Sequence, residues 1–526
     1  MIRGLLISLL VLTGCAPGVT AQREPLRPTR DWRLADRTLI GDFTHVTSVA
    51  ATFDRVFVTS PSALLIWRPQ FHRWEGPFQP PDPGTLSRVF ASLADPLDNS
   101  LWLATPVGWV HYQPEIDSWT SGTAGAPVQG IAFDLGAPTA GLLLRTSAGW
   151  MAAPRGGFAA VPAPPPSRPV GPASVAELLR QNPTLQANSG QILLDARLRN
   201  AQYTSAARGF DQRGWFIGTW GRGLLYLQDG AAIPERLAFG LPGDMVGALF
   251  AAPGGVWAAN DRTDVADAGF TFVASDLSAF TSVQGPAATG FPFGQIRHLV
   301  GQGTALWAGT DNGVAIIEPE GRSRVFDEGA GLPDGRVLSL VSRYGAVTAG
   351  TPRGVVRLDD SLRLRRIAPH FSGAALALAV SGDTVWVGTP QGLAFAPADS
   401  AELHRPEGLA TASLQVPVIG LAWLGDTLVA LTPNQLLWRA PRGAWSLGPD
   451  LSGVLGRLRV FTADGNGFWV AGDRGLAYAR LTSPPLRPLF AGDVPGDVFD
   501  LAADQEYLWV ATSAGLVRFR LDAIRP

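Results

Sequence analysis

Lysine is missing from this 526-residue sequence, and cysteine, histidine and charge are scarce. The 42 basic residues are all arginine, 44 acidic residues balance them, and charged residues make up only 16% of the chain. Because there is no basic excess to neutralise phosphates, we expect no nucleic-acid partner. The low charge, together with 46% hydrophobic residues, also excludes an intrinsically disordered chain.

Residues that perform catalysis or bind metals do not form a recognisable motif. None of the six histidines stands in an H-E-x-x-H or other metal-ligand spacing. The sequence also has no G-x-S-x-G nucleophile elbow, no Walker A loop and no cysteine pair that could bind zinc. We therefore predict no metal, no cofactor and no catalytic residue, and a protein that is not an enzyme.

The single cysteine, Cys15, follows a short apolar segment at the amino terminus. Arg3 precedes an apolar stretch at 5–12, which is typical of an export signal. A transmembrane helix would need about 20 apolar residues. The segment LTGC at 12–15 resembles the bacterial lipobox, in which the cysteine is lipidated after cleavage of the signal. We predict a lipoprotein signal peptide at 1–14 and a linker at 15–34, with ordinary signal cleavage after Ala21 as the alternative.

This interpretation predicts an exported protein. It would be a bacterial membrane lipoprotein that faces the periplasm or the cell surface, attached to the membrane through its lipid anchor only. Since Cys15 is the only cysteine, no intramolecular disulfide can form.

Glycine and proline, at 61 and 43 residues, are abundant. Together with many Trp, Val and Leu residues they favour short strands separated by tight turns, and so an all-β fold. One phrase recurs: apolar residues alternating up to Thr or Gly, two variable residues, a frequent Gly, and a second apolar stretch. The best copies are LWLAT at 101–105, LWAGT at 306–310, VWVGT at 385–389, FWVAG at 468–472 and LWVAT at 508–512.

Weaker copies bring the number of these anchors to eleven; they are centred on Phe57, Leu143, Phe216, Trp257, Thr348 and Val429. Successive anchors lie roughly 38 to 50 residues apart, except for one step of 73 residues. A period near 40 residues is the length of one four-stranded propeller blade. Each copy predicts a hairpin, because the Gly permits the positive φ of the turn between two strands.

The hairpins alternate with Gly-Leu-Pro loops, as at 331–333 and 240–242. This pair of phrases resembles the two-component regulator propeller repeat over roughly residues 35–526. The resemblance implies a sensor-type β-propeller, but the sequence contains no kinase or receiver segment, and we expect no cytoplasmic signalling output of its own. The repeat is specific for fold and says little about the ligand.

We predict a β-propeller of about eleven four-stranded blades. The strand predicted at 38–43 would complete the last blade, since the chain stops after a third strand at 516–521. Propellers usually have four to eight blades. We nevertheless favour a single large ring over two rings, because only three anchors precede the long gap. The segment 154–213 in that gap, with a proline-rich tract and a short helix opening at Ser174, is either a lid, a linker between rings or a loop insertion.

The repeat resemblance also indicates where a ligand would bind. The anchor tryptophans at 102, 257, 307, 386, 469 and 509 are expected to pack between sheets rather than to form a sugar-binding surface. Variable hairpin turns on the face of the Gly-Leu-Pro loops provide the candidate ligand-binding residues, namely Trp220, Arg222, Asp311, Asn312, Arg353 and Arg474.

The sequence therefore predicts an extracytoplasmic binding or scaffold protein that uses a propeller face to bind a partner protein or a glycan in the cell envelope. The alternative is a propeller enzyme such as a polysaccharide lyase or hydrolase, because a fold does not determine a function.

Lipidation of Cys15 can be tested directly. Cys15→Ser should release the protein from membranes, because the thioether-linked lipid can no longer form; membrane fractionation and mass spectrometry of the mature amino terminus would measure this. A Ser variant that stays in the membrane, with wild-type protein that begins unmodified at Gln22, would contradict the prediction.

Overall fold

The computed structural model describes residues 33, 36–82, 84–194, 199–260, 269–284, 295–318, 323–397, 400–408, 416–441, 443–465, 467–481, 483–490 and 492–525. Cys15, the predicted signal peptide and, apart from residue 33, the predicted linker lie outside the described residues.

The described chain forms eleven antiparallel sheets, numbered here in chain order. The first strand is β1 (Arg37–Ile40). Sheet 1 contains β2 (Ser48–Ala51), β3 (Val56–Thr59), β4 (Leu64–Arg68) and β5 (Arg73–Phe78), and sheet 2 contains β6 (Ala91–Ala94), β7 (Leu101–Thr105), β8 (Gly108–Gln113) and β9 (Ser118–Thr123). Sheet 3 contains β10 (Val128–Asp134), β11 (Leu142–Thr146), β12 (Gly149–Ala153), β13 (Val161–Pro162) and β14 (Pro169–Val170). Helices α1 (Val175–Gln181) and α2 (Pro183–Ile192) precede sheet 4, which contains β15 (Gln202–Arg208), β16 (Gly214–Trp220), β17 (Gly223–Gln228) and β18 (Glu235–Leu237).

Seven more sheets follow. Sheet 5 contains β19 (Val246–Ala252), β20 (Gly255–Asn260), β21 (Gly269–Ala274) and β22 (Phe280–Gln284), and sheet 6 contains β23 (Ile296–Gln302), β24 (Ala305–Thr310), β25 (Gly313–Ile317) and β26 (Ser323–Phe326). Sheet 7 contains β27 (Ser339–Arg343), β28 (Ala346–Thr351), β29 (Gly354–Leu358) and β30 (Leu364–Ile367), and sheet 8 contains β31 (Ala377–Ser381), β32 (Thr384–Thr389) and β33 (Gly392–Ala396). Sheet 9 contains β34 (Gly420–Leu424), β35 (Thr427–Leu431), β36 (Gln435–Arg439) and β37 (Trp445–Asp450). After α3 (Ser452–Leu455), sheet 10 contains β38 (Leu458–Asp464), β39 (Gly467–Gly472), β40 (Gly475–Arg480) and β41 (Ser483–Phe490); sheet 11 contains β42 (Val498–Ala503), β43 (Tyr507–Thr512) and β44 (Gly515–Arg520), and α4 (Leu521–Ile524) ends the described chain.

Each of the eleven predicted anchors lies in the second strand of a sheet, so the predicted propeller fold is confirmed. The Thr that ends an anchor closes its hairpin turn: the hydroxyl of Thr310 donates to the carbonyl of Gly313 at 2.9 Å. Glycine is required after the turn. Gly475, for example, has φ 132°, and a Cβ there would lie 2.0 Å from the carbonyl oxygen of Leu489. Sheets 3 and 8 depart from the predicted four strands, with five and three in the described chain.

The anchor tryptophans pack between sheets to different degrees: Trp307 is 3% exposed, whereas Trp257 and Trp386 are half-buried. Trp102, Trp469 and Trp509 are fully buried. Their indole N–H groups donate to aspartates in the preceding turn: Asp95 at 3.1 Å, Asp464 at 2.9 Å and Asp504 at 2.8 Å. This bond satisfies the one polar atom of a large buried side chain, so the desolvation of the indole N–H is offset while the tryptophan buries its apolar area.

Sheets 5 to 11 together form a closed ring. Their first strands lie side by side in chain order from β19 to β42, and β42 packs against β19. Strand β1 pairs with β44 and is the fourth strand of sheet 11, as the predicted pairing of the two ends requires. These contacts make a seven-sheet ring.

Sheets 1 to 4 form a separate group, in which β10, β6, β2 and β15 lie side by side in that order. The segment after β14 spans from sheet 3 to sheet 4, because Ala173 bridges to Ala206 and α1 packs beside β15. We call sheets 1 to 4 the four-sheet group.

The prediction of a single ring is therefore wrong. In a single ring β19 would lie beside β15, whereas β19 lies beside β42 and β15 beside β2. The chain leaves the seven-sheet ring after β1 and returns before β19, and the two crossing segments run together. The amide of Leu241 donates to the carbonyl of Gly41 at 3.0 Å, and that of Asp42 donates to the carboxylate of Asp244 at 2.7 Å.

The segment 154–213 belongs to the four-sheet group and does not connect the two parts. β14 adds to the inner edge of β10, and the carboxylate of Asp134 accepts the amides of Ser167 and Arg168, each at 2.8 Å. Helix α1 begins at the predicted Ser174, whose hydroxyl accepts the amide of Glu177 at 3.0 Å. The second helix, α2, was not predicted.

Polar side chains on three first strands of the seven-sheet ring bond to the backbone of the next sheet. Ser339 donates to the carbonyl of Ala375 at 2.9 Å, His298 bonds to the backbone of Leu338, and Asp500 accepts the amide of Leu249 at 2.8 Å. Burial raises the pKa of Asp500 to about 7 and lowers the pKa of His298 to about 4. Asp500 lies where the ring closes, between sheets 11 and 5.

Asp500→Asn should stabilise the protein at neutral pH. The unfolded carboxyl titrates near pH ~3.9, so between about 4 and 7 only the folded state holds this proton, and wild-type stability falls as the pH rises through that window. The slope from one such group is at most about 1.4 kcal/mol per pH unit. The carboxyl group also accepts the amide of Leu501 at 2.9 Å, and Asn has only one acceptor oxygen, so the variant should be slightly less stable than the wild type near pH 4. Urea unfolding from pH 4 to 8 should show that the difference shifts in favour of the variant as the pH rises.

His298→Gln is a control variant for which the opposite pH dependence of stability is expected. The imidazole is neutral in the folded state down to about pH 4, but protonates near pH ~6.5 when unfolded. The wild type therefore loses stability as the pH falls through this window, and the variant should gain stability near pH 4 and not at pH 8. A shift that is uniform across pH for both variants would contradict this assignment.

Candidate functional site

Five of the six predicted ligand-binding residues lie in turns between second and third strands, and Trp220 is the last residue of the second strand β16. On sheet 7, the guanidinium of Arg353 is 3.6 Å from the carboxylate of Asp334, which belongs to the Gly-Leu-Pro loop. These turns therefore share a face with the Gly-Leu-Pro loops, and we call it the loop face.

The structure does not bring the six side chains into one site. Asp311 and Asn312 on sheet 6 neighbour Arg353 on sheet 7, because the backbone of Gly335 lies beside that of Asp311. Arg474 is on sheet 10, three sheets further along the ring. Trp220 and Arg222 are on sheet 4, in the other part of the fold.

Several of these side chains already have partners within the protein. Arg222 donates to the carbonyls of Ile192 and Leu194, the latter at 2.7 Å, at the carboxyl end of α2. Asp311 accepts from Arg297 at 2.8 Å. Trp220, although 46% exposed, packs edge-on against His45 of the first crossing segment, with ring centroids 4.8 Å apart.

A better-formed concavity lies on the opposite face, where the turns between first and second strands are found. It is a cleft of about 360 Å³ between sheets 1 and 4, whose strands β2 and β15 are neighbours. We call it the aromatic cleft. Its lining residues are Thr52, Phe53, Val56, Trp67, Pro69, Gln70, His72, Gly209, Phe210, Asp211, Phe216, Tyr226, Glu235 and Leu237.

Two phenylalanines stand at the mouth of the aromatic cleft. Phe53 lies in the β2–β3 turn and Phe210 in the β15–β16 turn; they are 53% and 69% exposed, with ring centroids 6.2 Å apart in an edge-on arrangement. Phe216 and Tyr226 pack together deeper in the cleft, with centroids 4.9 Å apart. Exposed aromatic side chains that converge over an apolar floor are typical of binding sites.

The charged residues that line the aromatic cleft are acidic. Asp211 and Glu235 contribute carboxylates, and no arginine is among the lining residues. Burial, with the nearby charge of Asp211, raises the pKa of Tyr226, so its hydroxyl stays protonated and can donate a hydrogen bond. The cleft therefore combines an apolar, aromatic lining with hydrogen-bonding groups at its edge.

The residues of this cleft were not predicted from the sequence, because all the predicted ligand-binding residues belong to the loop face. A signal was present: the turns of sheets 1 and 4 share the pair Phe-Asp, at 53–54 and 210–211. A phenylalanine in a tight exposed turn has no packing role of its own, and its occurrence in two turns could have indicated a surface site. That sheets 1 and 4 are neighbours was not visible in the sequence.

In the described part of the chain, no group of three His, Cys, Asp or Glu side chains is placed to hold a metal ion. The described helices include none that is long and apolar enough to cross a membrane.

No protein-family model matches the chain, and no curated protein matches its sequence. Similar solved structures include PorZ, a surface component of the type-IX secretion system of Porphyromonas gingivalis, with 12% identity, 90% of this chain and 68% of that chain covered, and a TM-score of 0.46. The extracellular domain of BT4673 of B. thetaiotaomicron, a proposed hybrid two-component system, has 11% identity, coverage of 90% and 70%, and a TM-score of 0.42. The WD40 propeller domain of Doa1 has 11% identity, coverage of 52% and 92%, and a TM-score of 0.41.

Arg222 and Arg353 occupy the same kind of turn but differ in their contacts, which makes them a matched pair. Arg222→Ala should destabilise the protein by about 1 to 2 kcal/mol, because the carbonyls of Ile192, the last residue of α2, and of Leu194 just beyond it lose a charged donor. Arg353→Ala, whose side chain is largely exposed, should change stability by less than about 0.5 kcal/mol. Chemical denaturation of both variants measures the difference, and equal effects would show that the Arg222 contacts are not structural.

Proposed function

We propose that the protein is an exported, lipid-anchored binding protein that captures a partner protein in the aromatic cleft. The observation that carries the proposal is the pair of exposed phenylalanines, Phe53 and Phe210, at the mouth of that cleft. Leaving two such rings in water forgoes burial worth about 1.5 to 3 kcal/mol each, which a bound partner would recover.

A protein partner is favoured over a glycan by the chemistry of the mouth. Phe53 and Phe210 have no polar atoms, whereas tryptophan and tyrosine offer a ring face and a hydrogen-bonding group together. Apolar anchors surrounded by polar groups are the pattern of protein interfaces. His72, Asp211 and Glu235 would provide the polar surroundings here.

Export and anchoring are proposed from the amino-terminal sequence, with lipidation at Cys15 and with cleavage after Ala21 as the alternative. A lipid anchor would hold the propeller at a membrane surface, where a partner in the cell envelope could reach the cleft. The alternative of a lyase or hydrolase has no specific observation in its favour among the described residues.

Photo-crosslinking tests the partner and the cleft together. A photoreactive amino acid in place of Gln70, a lining residue, should crosslink a specific envelope protein that mass spectrometry identifies. The double variant Phe53→Ala, Phe210→Ala should reduce the yield and the affinity at least about tenfold, because two apolar anchors are lost.

Phe158→Ala is the matched control, since Phe158 is 72% exposed but lies on sheet 3, outside the cleft. Its yield should equal that of the wild type. A crosslink that survives the double variant, or binding on a glycan array without any protein crosslink, would overturn the proposal of a protein partner.

A further inference from the structure

A second cavity, of about 610 Å³, lies between sheets 8 and 9 of the seven-sheet ring. Its lining residues are Ser381, Thr384, Trp386, Phe395, His404, Arg405, Pro406, Glu407, Trp423 and Arg439. We call it the indole cleft. Its size suits a small ring-shaped ligand, since such sites typically span about 300 to 1,000 Å³.

The cavity lies beside the sheet with three strands. Sheet 8 has no fourth strand in the described chain; beyond β33 only a single bridge joins Phe395 to His404. Trp386 and Trp423 are half-buried. At the positions that correspond to Trp386, Trp257 is also half-buried, whereas Trp469 and Trp509 are fully buried.

Trp423 carries an unused hydrogen-bond donor. Its indole Nε1 is buried and has no partner among the described residues, as is also the case for Trp438 and Trp445 of the same sheet. The indoles of Trp102, Trp469 and Trp509, in contrast, donate to aspartates. A buried N–H without an acceptor costs about 1 to 3 kcal/mol. An acceptor atom on a bound molecule would satisfy it.

Two arginines line the indole cleft. Arg439 uses its Nε to donate to the carbonyl of Gly443 at 3.1 Å, which fixes the guanidinium and leaves its terminal nitrogens to other acceptors. The same guanidinium lies 6.0 Å from the ring centroid of Trp445. Arg405 is exposed at the rim. A guanidinium held in one orientation binds carboxylates well, because two of its N–H groups match the two oxygens.

We propose that the indole cleft binds a small cyclic carboxylate, with the ring against Trp386 and Trp423 and the carboxylate on Arg405 and Arg439. Ser381, Thr384 and Glu407 would contact polar substituents of the ring. A sugar acid and an aromatic acid share this chemistry. The site is independent of the aromatic cleft: it lies on the other part of the fold, and its lining contains arginines where the aromatic cleft has only carboxylates.

The test is isothermal titration of the full-length protein with four probes: glucuronate, its neutral counterpart glucose, phenylacetate, and neutral phenylacetamide. At least one carboxylate should bind, and its neutral counterpart should bind at least about tenfold more weakly, since charge-assisted hydrogen bonds are lost. Glucuronate binding alone would identify a sugar acid and phenylacetate binding alone an aromatic acid; either result supports the proposal.

Variants place the ligand in the cleft. Arg405→Gln and Arg439→Gln should each weaken carboxylate binding about tenfold, and Trp423→Phe should weaken it by removing the indole donor. Phe53→Ala should leave it unchanged. If thermal unfolding shows that Arg439→Gln does not fold, the test of the carboxylate site rests on Arg405→Gln, because Arg405 is exposed. Binding of neither carboxylate, equal binding of the neutral probes, or binding that Arg405→Gln leaves intact would overturn the proposal.

Discussion

The pairing of β1 with β44 is the interaction on which the arrangement of the whole chain depends. It makes the first described strand the outer strand of the last sheet, with Leu39 opposite Val517 and Ile40 opposite Leu516. After β1 the chain therefore crosses directly to the four-sheet group, and it returns to the seven-sheet ring before β19. Phe239, on the returning segment, packs against Trp74 of sheet 1 at 5.2 Å and against Phe280 of sheet 5 at 4.4 Å, so an aromatic core joins the two parts.

Because the sheets pack closely against each other, few strand residues can be changed without disturbing that packing. In the seven-sheet ring each sheet packs against a neighbour on both sides, and the buried tryptophans, the indole–aspartate bonds and the side-chain bonds of Ser339 and Asp500 all serve packing of this kind. A substitution on a strand therefore affects stability first. Binding sites therefore form at turns and at places where neighbouring sheets do not fill the space between them. Placing binding residues on loops that a rigid scaffold positions is a general property of proteins.

Both clefts arise at such places, for different structural reasons. The aromatic cleft lies between sheets 1 and 4, where the small group brings the first-to-second-strand turns of β2 and β15 together. The indole cleft lies beside sheet 8, whose described part has three strands. Their linings differ in charge, with Asp211 and Glu235 in one and Arg405 and Arg439 in the other, so they would select different ligands.

The sequence by itself determined the repeat and the hairpins, because alternation, a closing Thr or Gly and a Gly of positive φ are local properties that recur along the chain. It also predicted that the chain ends would share a sheet. Only the tertiary structure decided that the sheets divide into a four-sheet group and a seven-sheet ring, since identical hairpins do not specify which sheets become neighbours. The position of the clefts followed from that division: Phe53 and Phe210 are 157 residues apart in the chain and meet only because β15 packs beside β2.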